Sequence, residues 1–231
     1  QIFRQVMQRL PQPNEINEAL TLIKEAASTL PVIRTQVKHW SYLYGNFDEE
    51  QNRVIDAKLI PQFTESKWQG SSKYPDDELG WVQLTAAGGH PGNDRQHACI
   101  RRWTAPRDMK ISIESKLVHE AEPGDGIRAF VVSSRAGQLV GQKVHQQTVD
   151  FNIDDLSVVA GETIDFAGDI DEVLNNDQFL WEITIREAVV AEPPMIWNSR
   201  QDFSGPIPEP LMPWEQLAQI LLCSNEFLFV D

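Results

Sequence analysis

The sequence predicts a mainly β protein: a jelly-roll-like antiparallel β-sandwich flanked by an N-terminal helical hairpin and a C-terminal helix. Three observations predict it. Between Trp68 and Glu187, short apolar runs alternate with period two and are separated by Gly, Asp, Asn and Pro. The two ends of the chain instead repeat their apolar residues at helical spacing. The length, 231 residues, suits one substantial core with appendages.

The elements follow in order. In "QIFRQVMQRL", Ile2, Val6, Met7 and Leu10 fall on one helical stripe. The prolines of "PQP" stop it, Asn14 is placed to cap the next helix, and Glu15 suits its first turn. Ile16, Leu20, Ile23 and Ala27 continue that helix, which makes residues 1–30 a helical hairpin. After Pro31 the texture changes. "KHWSYLYGNFDEEQNRVIDAKLI" reads as two strands around an acidic turn.

The strand candidates beyond it are "WVQLTAA", "HACIRRW", "MKISIESKLVH", "GIRAFVVSS", "QLVGQKVH", "QTVDFNI", "ETIDFAG" and "FLWEITIRE". Ile111, Ile113, Ser115 and Leu117 share one parity, as do Phe179, Trp181, Ile183 and Ile185, so each strand has one buried face. Many strands with little helix between them imply an antiparallel sandwich over 31–190. A proline-rich return and a final helix carrying Trp214, Leu217, Ile220 and Leu221 occupy 191–231, with Ser224 and Asn225 ending the helix. The expected arrangement packs the two helical ends together, with the sandwich inserted between them in sequence.

Composition narrows the function. The formal charge is −14 and the sequence pI about 4.7, a field that repels nucleic acid and anionic membranes. No apolar run approaches the roughly 20 residues that cross a bilayer. The chain opens on Gln and shows no leader, so it reads as a piece of a longer protein. Cys99 and Cys223 match no metal or disulfide spacing and are expected as buried free thiols. There is no G-x-S-x-G, H-E-x-x-H, P-loop or G-x-G-x-x-G, and the neighbouring acids Glu120/Glu122 and Asp154/Asp155 suit solvated turns. An enzyme is not expected.

One stretch draws attention: "GGHPGNDRQHACIRRW", residues 88–103. Gly88, Gly89 and Gly92 read as turn glycines stiffened by Pro91. His90, Asp94 and His97 have the chemistry for a nitrogen–oxygen metal site, but in a loop the same groups serve backbone donors and acceptors. Arg101 and Arg102 are suited to a carboxylate or sulfate; one of them is equally suited to a cross-strand acid. Ile100 and Trp103 differ in parity, so one arginine faces the other side of the sheet or a bulge intervenes.

The segments "WEQLAQILLC" with "SNEFLFVD", and "IFRQVMQRLPQPNEINEAL", resemble the C-terminal domain of unknown function of large exported planctomycete proteins that carry an N-terminal cytochrome c domain. The run "ESKWQGSSKYPDDELGWVQLTAAGGHPGNDRQHACIRRWTAP", with "GDGIRAFVVSSRAGQL" and "GETIDFAGDIDEVLNNDQFLWEITI", resembles a β-sandwich module inserted in many of them and similar in architecture to carbohydrate-binding modules. The usual glycines near Met109 and Ser115 are absent. The resemblance implies an extracytoplasmic setting, the rest of the parent protein as a partner, and a non-catalytic module that binds a polysaccharide or oligosaccharide. It also implies a structural calcium ion, for which Asp165, Asp169, Asp171 and Asp177 around the penultimate loop are the candidates. No C-x-x-C-H motif is present, so no haem is expected in this chain. Sugars stack on aromatic rings, and Trp103 and Trp68, with Arg101, Arg102, His90, Asp94 and His97, are the candidate ligand residues. A core role for each tryptophan is the competing reading. The alternative function is a structural or protein-interaction module with no glycan ligand.

Overall fold

The computed structural model describes residues 1–29, 39–188, 194–206 and 211–223. The chain divides into two compact units, one of residues 1–37 with 207–231 and one of residues 38–206.

The helical unit holds α1 (Ile2–Val6), α2 (Pro13–Thr29) and α3 (Pro213–Leu222). Phe3, Leu217 and Leu221 form its buried centre, with Ile2, Val6, Met7, Ala19, Leu22 and Ile23 packed against them. The N-terminal hairpin and the C-terminal helix thus bury their apolar faces on one another. The stripe of α2 is rotated from the expected one. Ala19 and Leu22 join Ile23 in the contact, while Ile16 and Leu20 are exposed, because this helix carries two overlapping apolar stripes. Helix α2 begins at Pro13, one residue before the expected cap. The Glu15 carboxylate accepts from Gln12 N (2.6 Å) and forms a two-pronged pair with Arg9. In α3, Trp214 and Ile220 are exposed, and so is Cys223, contrary to its expected burial. Ser224, Asn225 and the apolar tail lie outside the described residues.

The second unit is the β-sandwich. Its strands are β1 (Trp40–Asp48), β2 (Arg53–Leu59), β3 (Gln62–Thr64), β4 (Lys67–Gln69), β5 (Gln83–Thr85), β6 (Gly88–His90), β7 (Ala98–Thr104), β8 (Met109–His119), β9 (Ile127–Ser133), β10 (Gly137–Val144), β11 (Gln147–Asp150), β12 (Ile153–Val158), β13 (Thr163–Ile170), β14 (Phe179–Glu187) and β15 (Ile196–Asn198). One sheet runs β10-β9-β13-β7-β1-β2. The other runs β11-β8-β14-β6-β5-β4-β3, with β12 beside β8 and β15 beside β14. All pairings between these strands are antiparallel. From β7 onward the chain crosses repeatedly between the sheets, the jelly-roll-like habit.

Period-two alternation places the core. Ile111, Ile113 and Leu117 of β8 and Phe179, Trp181, Ile183 and Ile185 of β14 point inward, against Trp103 of β7 and Ile164 and Phe166 of β13. Phe166 meets Trp181 edge-on at 5.7 Å. Ser115, on the buried parity, donates to Phe151 O and accepts from the Trp181 indole, so no polar group is stranded there.

Strand β7 keeps a continuous register with both neighbours, so no bulge re-aims its arginines. Cys99, Arg101 and Trp103 face inward. Ile100 and Arg102 face outward, where Ile100 joins Leu43, Ala98 and Ala167 in a smaller cluster. The first and last parts of the unit adjoin. The Tyr42 and Phe203 rings are 4.8 Å apart, and Ser204 N donates to the Tyr42 hydroxyl.

Candidate functional site

Several residues expected at a ligand rim are interior. Trp103 is 0% exposed, at 5.1 Å from Trp197 in the core, so it has no face to offer a sugar. Arg101 is 2% exposed. Its guanidinium donates to the carbonyls of Trp181 (3.3 Å), Gly88 (3.0 Å) and Thr85, and burial draws its pKa down to about 10. It is a fastener of the β5–β6 turn, not a ligand group. Trp68 is half-buried, stacked on Tyr42 and hydrogen-bonded to Ser204 O (3.0 Å). Arg102 is claimed by Asp165, the residue directly opposite it on β13, through two bonds of 2.7 and 2.8 Å. The cross-strand alternative for one arginine is the one realised.

Asp94 and His97 serve the corner itself. The Asp94 carboxylate caps a short 3-10 turn (Arg95–His97), accepting from Gln96 N and from the His97 ring (2.7 Å), and that ring stacks on Tyr44. His90 points elsewhere, so the expected histidine–aspartate–histidine set does not converge.

The four aspartates expected around calcium do not converge either. Asp165 pairs with Arg102. Asp169 pairs with Arg128 directly opposite it on β9 (2.9 and 2.6 Å), and Asp171 contacts Lys143 and Arg95. Only Asp177 is without a cationic side chain. Among the described residues no group of three or more His, Cys, Asp or Glu is placed to hold a metal ion.

The structure gathers a different set. Two adjoining depressions, of about 200 and 490 Å³, share Tyr74, Gln83, His90, Ala121 and Gln178 in their linings. The first is completed by the β6 glycines, Val118, Glu120 and Leu180, and the second by Trp81, Leu174, Asn175 and Asn176. They form a shallow cleft where β5, β6, β14 and β8 meet the loops 70–82 and 171–178.

Along one wall lie three rings. Tyr74 stands edge-on to Trp81 at 5.3 Å, and Trp81 lies 5.7 Å from His90. Of the six tryptophans in the sandwich unit, Trp81 is the exposed one, at 38%, beside Tyr74 at 36%. The Tyr74 hydroxyl donates to Trp81 O (3.2 Å), which fixes the pair, and burial of its inner part pushes its pKa up to about 12. His90 Nδ1 donates to Pro91 O (2.7 Å), and burial lowers its pKa, so the ring is neutral at pH 7 and offers Nε2 as an acceptor. Around the rings stand the amides Gln83, Gln178, Asn175 and Asn176. Neither lining contains Lys or Arg.

Close backbone approach builds the floor. A Cβ on Gly88 would lie 1.9 Å from Phe179 O, and one on Gly89 2.8 Å from Gln83 O. These glycines are therefore strand residues that let β6 nest between β5 and β14, not turn formers. Parity in "WVQL" was the available signal for the cleft. Val82 and Leu84 are buried, so Trp81 and Gln83 face out.

No family model matches the chain, and no curated protein sequence matches it. Among solved structures it is similar to a ruminal GH26 endo-beta-1,4-mannanase, at 13% identity over 53% of this chain and 22% of that one, with a TM-score of 0.25. It is also similar to the PA14 domain of MpAFP antifreeze protein, at 8% identity over 68% of this chain and 88% of that one, with a TM-score of 0.27. The chain thus spans about a fifth of the mannanase. Neither likeness is close enough to carry a function across; the chain's own geometry shows an antiparallel β-sandwich with a cleft walled by aromatic rings and lined by no Lys or Arg.

Proposed function

We propose that the sandwich is a non-catalytic module that binds a polysaccharide or oligosaccharide in the Tyr74–Trp81–His90 cleft. The observation that carries this is the exposed Trp81–Tyr74 pair flanked by four neutral amides. Aromatic faces take the C–H surfaces of sugar rings, and amides exchange hydrogen bonds with hydroxyls. A lining free of Lys and Arg in a chain of charge −14 favours neutral or amino sugars over sulfated or uronic ones. Glycoside cleavage ordinarily uses two carboxylates across the bond, and the cleft lining offers one, Glu120. The family resemblance supports an extracytoplasmic setting within a larger exported protein.

A glycan array followed by calorimetry on the best ligand tests the reading. Trp81→Ala is expected to weaken binding by about 1–3 kcal/mol while lowering stability much less than loss of a core indole does. Trp103→Ala is expected to lower stability by about 3–5 kcal/mol, the cost of emptying a core indole site. A wild-type chain that binds no glycan, or one whose affinity ignores Trp81→Ala, overturns the proposal.

A further inference from the structure

Five acidic side chains are buried among the described residues: Glu162, Asp165, Asp169, Asp177 and Glu187. Four of them have an arginine: Arg135 for Glu162 (3.0 Å), Arg102 for Asp165, Arg128 for Asp169 and Arg107 for Glu187 (2.5 Å). Asp177, 0% exposed, has none. Its Oδ2 accepts one bond, from Asn175 N (2.9 Å), and its Oδ1 accepts no bond from the protein. The charged group that acts on it is a second carboxylate, Asp125, and burial together with that repulsion pushes its pKa up to about 6.

Asp125 mirrors it. Oδ2 takes the amides of Glu172 (2.9 Å) and Val173 (3.1 Å), and Oδ1 is buried without a partner. The histidine nearby supplies no charge. His119 donates from Nε2 to Asn176 O and accepts at Nδ1 from Gln146 N, which is the neutral ring. Each carboxylate thus keeps one dry oxygen without a donor, a costly state for a charged group and most so for Asp177, the fully buried one of the two.

We propose that Asp125 and Asp177 bind a hard divalent cation of the calcium class through these two Oδ1 atoms, with carbonyl oxygens and water completing its shell. Oxygen donors in an irregular loop suit such an ion, and two carboxylates neutralise its charge. Loop 171–178 leans closely on the segment of Asp125: a Cβ on Gly124 would lie 2.1 Å from Asn175 O. The ion would therefore pin this loop, whose Asn175 and Asn176 line the cleft, onto the sandwich.

The test uses the full chain, stripped with chelator and melted in chelator-free buffer with and without CaCl2, MgCl2 or MnCl2. At about 100-fold excess over its dissociation constant, a fitting ion is expected to raise the melting temperature by roughly 5–10 °C. Asp177→Asn and Asp125→Asn should each abolish that shift. They should also melt no lower than the stripped wild type, since each removes the repulsion. The exposed-acid control Asp155→Asn should keep the shift. Calorimetric titration of the stripped wild type with CaCl2 gives a readout independent of any variant. Three results overturn the proposal: no shift and no heat with any of the three ions, a shift retained in both asparagine variants, or a stripped wild type already as stable as with the ion. The last would mean that the two carboxylates share a proton instead.

Discussion

His90 shows how one residue links the cleft to pH. Its ring is half-buried in the cleft wall, and the loss of solvent holds its pKa below the ordinary 6.5. The unfolded chain therefore takes up this proton at a higher pH than the folded chain does. By linkage the His90 contribution to stability is complete above pH 6.5 and is lost as the pH falls through the depressed folded value. Melting wild type and His90→Asn across pH 4–8 should show a wild-type advantage that shrinks on acidification, and a constant difference would refute it. Residue roles were the least legible part of the sequence. "RRW" looked like a rim because Arg and Trp recognise ligands, but the same residues also build interiors. What decides between these roles is whether β7 lies at an edge or between β13 and β1, a long-range pairing that no local pattern states. Trp81 carried its signal in parity alone.

At the scale of elements, the longer strands were readable because one of their faces is uniformly apolar. The short ones were not: β3, β4, β6 and β15 have three residues each, too few to display a period. Strand β12 was hidden by Asp154 and Asp155, which face solvent beside β8. Strand β6 was read as a turn because of its glycines. It is held by Arg101 through Gly88 O and by pairing with β5 and β14. Gly88→Ala is accordingly expected to cost about 2–3 kcal/mol, since the new methyl meets a backbone carbonyl that cannot rotate away. Chemical denaturation measures this, and a loss below about 0.5 kcal/mol would show that β6 shifts without strain. The cleft's geometry should suffer with it, because His90 ends this strand.

At the scale of the whole molecule, the fold class was legible from the change of apolar period along the chain: helical at both ends, two-residue between them. Residues 38–206 contain both sheets and the aromatic core between them. Expressed alone, that segment is expected to unfold in one cooperative transition and, on the proposed function, to bind glycan as the full chain does. Absence of a cooperative melt would show that the sandwich needs the rest of the polypeptide. The contact of Tyr42 with Phe203 has a mechanical corollary. Chain enters and leaves the sandwich side by side. Such neighbouring ends would let the sandwich be spliced into a hairpin loop of an unrelated protein without prying the loop apart.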